Sequence, residues 1–307
     1  MCRHISLIDA VPYLRAYHGQ TFVIKVGGEV IQDEKKLGDV ARDVAILHRL
    51  AIRVVVVHGG GPQLDVLTEK LGLQVERVAG RRITSPEVLD AAKMLFRGRL
   101  SLDMVSALRR HDESAVGLSG ADGNLVEAVR RPEALLEDDE GNMVQVNFGE
   151  VGDVCQVDTT ILVKSLDAGT IPVVSPLAMD KEGQVLNCNA DTMAAEIAIA
   201  LGAAKLILMS NVPGILEDAT DSSSLLHYGD LATLDGMQER GAFSRGMRPK
   251  IEAVRRAIKG GVPRTHVIDS GRRGALLEEI FTNDGCGTLV VREVEGAQSE
   301  PLNSASI

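Results

Sequence analysis

Aromatic side chains are scarce in this 307-residue chain, at 3% of residues with no tryptophan. Proteins that bind single-stranded nucleic acid stack bases on such rings, so the shortage argues against that class. Basic charge is also short: 33 lysines and arginines against 43 acids leave a net charge of −10. A polyanionic backbone partner is therefore disfavoured, although a few placed cations are enough for a small anionic ligand. The four cysteines (Cys2, Cys155, Cys188, Cys286) are spread out and form no CxxC pair. That usage fits a reduced cytosolic protein better than a disulfide framework or a zinc site. There is no apolar run of membrane-spanning length and no signal-peptide-like start. We expect no membrane or nucleic-acid partner and a cytoplasmic location.

With few aromatics, the core has to be built from Val, Ile, Leu, Ala and Met. Apolar residues make up 45% of the chain and charged residues 25%, an ordinary globular balance. Residues 21–26 form a β-branched run closed by Gly27-Gly28. After it, Leu37, Val40, Val44 and Leu47 recur at helical spacing between Asp33 and Leu50. Arg53–Val57 reads as a strand buried on both faces. The alternation continues with a helical stretch near 86–110, a strand near 114–118, a helix near 158–168 and a strand at 171–174. Further on come a helix over Asp191–Gly202, a strand over Ala204–Met209, a helix over Lys250–Lys259 and a strand over Thr265–Ile268. This order predicts an α/β protein with a mostly parallel central sheet. Residues 125–157 look like a hairpin excursion and 217–247 like a loop able to cover a nucleotide. A turn near Pro176–Gly183 marks a soft boundary, which divides the chain into 1–178 and 179–307.

At the N-terminus, Ser6 is placed to cap a helix with apolar positions Leu7, Ile8, Val11 and Leu14, ending at Gly19. Pro12 removes one ladder hydrogen bond and is expected to kink it. A partner subunit or the helix's own domain would cover its stripe.

The chemistry lies in glycine and lysine. Lys25-Val26-Gly27-Gly28 and His58-Gly59-Gly60-Gly61 each end an apolar strand, where bare N–H groups admit a phosphate. Neither cluster has P-loop or dinucleotide-fingerprint spacing. Lys250 opens a helix, and Asp191 opens another after Asn187 and Asn189. Those three residues, at every second position in extended backbone, would share one face. Each feature also has an ordinary reading: a glycine pair as a turn, Asn-x-Asn-x-Asp as a turn and cap, Lys250 as a solvated helix residue. Together they indicate a phosphate site and leave the reaction open.

The motifs KVGGE (25–29), VHGGGPQ (57–63), GRRIT (80–84), VGLSGADG (116–123), NCNADTMAAEIA (187–198), SNVPGIL (210–216) and GMRPK (246–250) occur in an order that resembles the amino acid kinase family. The likeness covers nearly the whole chain and is strongest to members acting on N-acetylglutamate. It implies a three-layer αβα sandwich, with acetylglutamate held in residues 1–178 and ATP in 179–307. The implied reaction moves the γ-phosphoryl group of ATP to the substrate γ-carboxylate, in arginine synthesis. By the resemblance, Lys25, Lys250 and Asp191 are catalytic, and Gly60, Gly61, Arg82, Asn187 and Asn189 bind substrate. Gly27, Gly28, Ser210 and Asn211 meet the nucleotide. ATP and Mg²⁺ are the implied cofactors, with no protein metal ligand assigned.

Glu29 departs from the family pattern by putting a negative charge next to the glycine pair, and Asn211 stands where aspartate is common. The motifs around 119–123 and 210–214 also resemble kinases of carrier-bound aminoadipate or glutamate. The NxNAD motif and the acidic chain favour the free acid. His266, Glu279 and Gly287 resemble the arginine site of the feedback-inhibited subgroup, whose N-terminal helix interlaces dimers into hexamers. Arginine inhibition and a homo-oligomer, dimer or hexamer, are therefore expected, although residues 270–274 depart from that subgroup's run. A non-catalytic arginine-sensing module is the remaining class. The retained lysines and aspartate, and a chain that ends soon after the last motif, argue against it.

Overall fold

The computed structural model describes residues 7–78, 81–137, 141–218, 220–221, 223–244 and 246–293. The Ser6 cap and Gly80 of the GRRIT motif lie outside the described residues. Helix α1 (Leu7–Tyr17) leads into strand β1 (Thr21–Val26). Then come α2 (Gly28–Gln32), α3 (Glu34–Arg49), β2 (Arg53–His58) and α4 (Gly61–Lys70). The short pair β3 (Arg77–Val78) and β4 (Arg81–Arg82) precedes α5 (Pro86–Lys93), a π-helical turn over Met94–Leu100 and α6 (Ser101–Arg109).

After β5 (Ala115–Ser119) the chain runs through β6 (Val126–Arg130), β7 (Ala134–Glu137), β8 (Met143–Val146) and β9 (Val151–Val157). Helix α7 (Thr160–Asp167) is followed by β10 (Ile171–Ser175), β11 (Leu177–Met179) and β12 (Val185–Cys188). The last stretch holds α8 (Ala190–Ala200), β13 (Lys205–Ser210), β14 (Tyr228–Asp230), α9 (Leu231–Glu239) and α10 (Arg248–Lys259). It closes with β15 (Thr265–Asp269), α11 (Ala275–Phe281) and β16 (Thr288–Val291).

Eight strands form one sheet in the order β14-β16-β15-β13-β1-β2-β10-β5. Every pairing in it is parallel except β15 with β16. Because side chains alternate along a strand, each central strand feeds two cores. Phe22, Ile24, Val26, Val54 and Val56 pack with α1, α3–α6 and α11. Val23, Val55 and Val57 point the other way, onto α7–α10. Two helix layers around one sheet are the three-layer sandwich that the motifs implied. Each fully buried valine or isoleucine stabilises it by about 1.5–3 kcal/mol.

Helix α3 follows its pattern closely. Asp33 caps it, accepting from the Lys35 and Lys36 N–H groups at 3.0 and 3.1 Å, and Leu37, Val40, Val44 and Leu47 are all buried. Other expectations shift. Helix α1 continues through Pro12, whose ring nitrogen has no proton for the Ile8 carbonyl, and buries Ala10 and Tyr17. Ile8 and Val11 face outward at 82% and 38% exposure, so the stripe read from spacing is only partly the buried face. The 217–247 stretch holds β14 and α9 as well as loop. Asp230 starts α9 by accepting from the Thr233 N–H at 2.8 Å.

The excursion is larger than a hairpin. Strands β6, β9, β11 and β12 close a second sheet on themselves, with the β7–β8 hairpin beside it. The Pro176–Gly183 turn lies in that sheet, joining β11 to β12 with the Asp180 N–H donating to the Gln184 carbonyl at 3.0 Å. The stretches 1–178 and 179–307 meet along the β1–β13 pairing and share both helix layers.

Candidate active site

The carboxyl ends of β1 and β2, the start of α8 and the start of α10 come together at one point. Parallel strands in register bring Val26 beside His58, so the two glycine clusters leave the sheet side by side. The Gly59 N–H donates to the Val26 carbonyl at 2.8 Å. A side chain at Gly28 would meet Gly60 Cα at 3.0 Å, and one at Gly59 would lie 3.7 Å from the Gly28 nitrogen and 3.8 Å from Lys25 Cε. Gln63 ties the two turns together by donating its amide to the Gly28 carbonyl. Gly60 backs onto Phe96 and Leu100 of the π-helical turn, which leave no room for a Cβ there. On the open side, nothing stands within 4 Å of the position a Gly61 side chain would take. The glycines here give backbone close approach, which a phosphate or a carboxylate needs.

Lys25, on β1, and Asp191, in the first turn of α8, are both buried. Lys25 Nζ lies 2.9 Å from Asp191 Oδ1, and Lys250, at the start of α10, donates to Oδ2 at 3.2 Å. Burial would push the Asp191 carboxyl up, but the two ammonium charges outweigh it and hold the group below the usual carboxylate range. For Lys25, burial works against the charge, yet Asp191 and Glu29 carry its ammonium above the ordinary value. Lys250 is drawn below its ordinary value by burial and by repulsion from Lys25. One ammonium thus sits on each oxygen of the Asp191 carboxylate.

Asn187, Asn189 and Asp191 do not share a strand face as the spacing suggested. Asn187 lies within β12, one residue before its end, and donates to Thr84 Oγ1 at 3.2 Å, whereas the backbone turns helical at Ala190. Asn189 is the N-cap of α8, accepting from the Thr192 N–H at 2.9 Å. The turn-and-cap reading therefore describes Asn189, and only Asp191 reaches the lysines. Arg82, on β4, donates to the Gly61 carbonyl at 2.9 Å and pairs with Asp65. Its guanidinium is mostly buried, with Nε lacking a partner, and burial lowers its pKa despite Asp65. Asp65 also takes both Oδ contacts from Arg77 at 2.7 Å. Spacing gave no sign of this acidic partner. Ser210 is buried at the end of β13 and Asn211, next to it, is exposed.

A second charged cluster lies under α1. His266 Nδ1 stands 2.7 Å from Glu279 Oε1, and the Cys286 and Gly287 N–H groups donate to Oε2 at 2.7 and 2.9 Å. Lys205 Nζ is 3.0 Å from His266 Nε2 and 4.9 Å from the centre of the Tyr17 ring. Burial, then the charge of Lys205, puts His266 at about 4, so at neutral pH the contact with Glu279 is a hydrogen bond from Nδ1–H rather than an ion pair. Glu279 falls to about 2: burial would raise it, but the His266 contact and the two N–H groups prevail. Burial, then Arg264, brings Lys205 down to about 7. His266, Glu279 and Gly287 thus meet in one cluster, whereas Lys205 and Tyr17 were invisible as isolated residues on separate elements.

Two lysines sharing a buried aspartate, above paired glycine turns at the carboxyl edge of a parallel sheet, define an α/β phosphotransferase class. The family model of the amino acid kinase family matches residues 20–269. The chain belongs to that family. Acetylglutamate kinase of Myxococcus xanthus is 44% identical over 291 residues, 94% of each chain. That of Archaeoglobus fulgidus is 41% identical, covering 92% of this chain and 97% of its own.

Among solved structures, N-acetylglutamate synthase from Neisseria gonorrhoeae complexed with coenzyme A and N-acetyl-glutamate superposes with a TM-score of 0.80 at 27% identity. That match covers 94% of this chain, which spans 64% of the synthase chain. The same synthase complexed with coenzyme A and L-arginine gives 0.77 at 25%, covering 94% and 66%. Carbamate kinase from Giardia lamblia shares the fold at a TM-score of 0.62 and 17% identity, over 90% and 99%.

Proposed function

We propose that the protein transfers the γ-phosphoryl group of ATP to the γ-carboxylate of N-acetyl-L-glutamate, giving N-acetyl-L-glutamyl 5-phosphate and ADP. The observation that carries this reading is the Lys25–Asp191–Lys250 group set over the converging glycine turns, in a chain over 40% identical to acetylglutamate kinases.

A carboxylate nucleophile is already ionised at neutral pH and needs no general base. Its oxygen bonds to the γ-phosphorus while the bond to the β,γ-bridging oxygen breaks, and the electron pair leaves on ADP. Charge gathers on the equatorial oxygens, where Lys25 and Lys250 neutralise it. Asp191 is not the base in this scheme. Held ionised, it fixes the spacing of the two ammonium groups. Gly27 and Gly28 offer backbone N–H groups to the phosphates, with Ser210 and Asn211 on the nucleotide side. Gly60, Gly61, Asn187 and the orphan Nε of Arg82 face the acetylglutamate. Residues 1–178 carry the acid and 179–307 the nucleotide.

Among the described residues no group of three or more His, Cys, Asp or Glu is placed to hold a metal ion. Mg²⁺ brought with the nucleotide would add to the neutralisation of phosphate charge that Lys25 and Lys250 provide.

An ADP-release assay with ATP and Mg²⁺ tests this. N-acetylglutamate should be turned over and free glutamate ignored, because a charged amine replaces the acetyl group. Equal turnover of the two, or turnover of a carrier-bound aminoadipate alone, removes the assignment.

We also propose that L-arginine inhibits through the His266–Glu279–Gly287 group, and that α1 joins copies of the chain. Supporting this are the outward Ile8 and Val11, and Tyr17 of the same helix set over Lys205. Deleting residues 1–18 should lower the mass by light scattering and abolish the arginine response. An unchanged mass and response would refute both roles.

A further inference from the structure

The family motifs leave Glu29 unexplained. It follows the glycine pair directly, and its carboxylate folds back over Gly27. All three atoms nearest to the position of a Gly27 side chain belong to that carboxylate group. Gly27 itself has φ −70° and ψ 156°, a backbone that any residue adopts, so its glycine is explained by what lies above it rather than by conformation. Glu29 is half-buried, and among the described residues no hydrogen bond or ion pair holds its carboxylate. Its charge nevertheless acts on both Lys25 and Lys250.

The local charge is then two lysines against two carboxylates. Without Glu29, the site carries a net positive charge toward an incoming phosphate; with it, that charge is cancelled. An unanchored carboxylate in a phosphate-accepting turn, facing the two cations meant for the phosphate, has the chemistry of an internal competitor.

We propose that Glu29 is a specificity-determining residue: its carboxylate occupies the Gly27 turn in the free protein and sets the affinity for the terminal phosphate of ATP by competing with it. This rests on the phosphoryl-transfer reading above, which places the γ-phosphate at Gly27. The competitor is a flexible side chain with no partner to lose, so it swings out when a more highly charged anion enters. The cost appears as weaker nucleotide binding. It falls on the triphosphate more than the diphosphate, because only the γ-phosphate reaches the two lysines.

Calorimetric titration of the full chain with ATP and with ADP, both without divalent cation, tests the proposal on wild type, Glu29→Gln and Glu29→Asp. Glu29→Gln should bind ATP about tenfold more tightly, as expected for removing one like charge a few ångströms from the phosphate. It should bind ADP less than threefold more tightly, and raising the salt should shrink the ATP gain. Glu29→Asp keeps the charge and should stay near wild type. Equal gains for ATP and ADP, or none, overturn the proposal. Weaker ATP binding by Glu29→Gln, with or without Mg²⁺, also overturns it, since the carboxylate would then be a ligand rather than a competitor. If wild type fails to turn over acetylglutamate, the phosphoryl-transfer reading has failed. If turnover is normal and only the ATP-to-ADP contrast is missing, the failure lies with Glu29 alone.

Discussion

Two buried clusters in this molecule set a lysine near a carboxylate, and they are built in opposite ways. At the carboxyl edge of the sheet, Lys25 and Lys250 share the single carboxylate of Asp191. Under α1, His266 is inserted between Lys205 and Glu279, and two backbone N–H groups take up the remaining acceptor capacity of Glu279. The first cluster sets its two cations next to turns that a Cβ would block, and its second counter-charge, Glu29, is a side chain with no partner of its own. The second uses most of its donors and acceptors on itself. A site meant to meet a transferred charge needs a counter-charge that can give way to the ligand, whereas a cluster that joins helix, strand and loop is fixed by directed hydrogen bonds.

The largest expected effect breaks this comparison on the catalytic side. Lys250→Ala and Lys25→Ala should each lower kcat by about 10²–10³ with a much smaller change in KM for acetylglutamate, because the charge they meet develops in the transition state. Steady-state kinetics checks this, and a normal kcat in either variant would make that lysine structural.

Glu279→Ala probes the other cluster. It leaves the His266 Nδ1–H and two backbone donors without an acceptor, which should cost about 2–4 kcal/mol in denaturant unfolding while kcat at saturating substrate stays near wild type. The sign with pH follows from both residues. Glu279 has a depressed pKa of about 2 and contributes stability above the unfolded value near 4.5, lost as pH falls toward 2. His266, depressed to about 4, adds a cost as pH drops below 6.5 toward 4. Wild type should therefore lose stability steadily from about pH 6.5 downward. Glu279→Ala should lose less over the lower part of that range, and an equal slope would show that Glu279 is not coupled to folding.

The smallest effect sharpens the role of Asn189. As the cap of α8 it should cost about 1 kcal/mol on change to alanine, read by thermal unfolding, with little change in KM for acetylglutamate. A large KM increase without a stability loss would return it to the substrate side.

How much of this was readable in the chain varied with the length of the signal. Strands such as β1 and β2 are continuous apolar runs, and α3 carries both its periodicity and its Asp33 cap, so these elements were plain. Strand β14 has only three residues, and α9 follows serine- and glycine-rich sequence, so neither rises above a loop pattern. The second sheet pairs β6 and β9 with β11 and β12 across a helix and a strand of the main sheet, and no local spacing records such partners. In the site, glycine turns and lysines stood out as residue types. Asp65 beside Arg82, the Phe96 and Leu100 wall behind Gly60, and the position of Glu29 over Gly27 did not.

The sequence by itself determined the alternation of helices and strands, the ordinary globular composition, the glycine turns at strand ends and the order of motifs that marks the family. These depend on neighbours within a few residues, where backbone geometry and hydrophobic period act directly. Only the tertiary structure decided that Asp191 reaches Lys25 and Lys250 while Asn189 turns away to cap a helix, and that His266, Glu279 and Lys205 close under Tyr17. Charges that far apart in the chain have no preferred distance until a shared core fixes the elements carrying them. Their pKa values and chemistry follow from that distance and from burial, which a linear pattern does not contain.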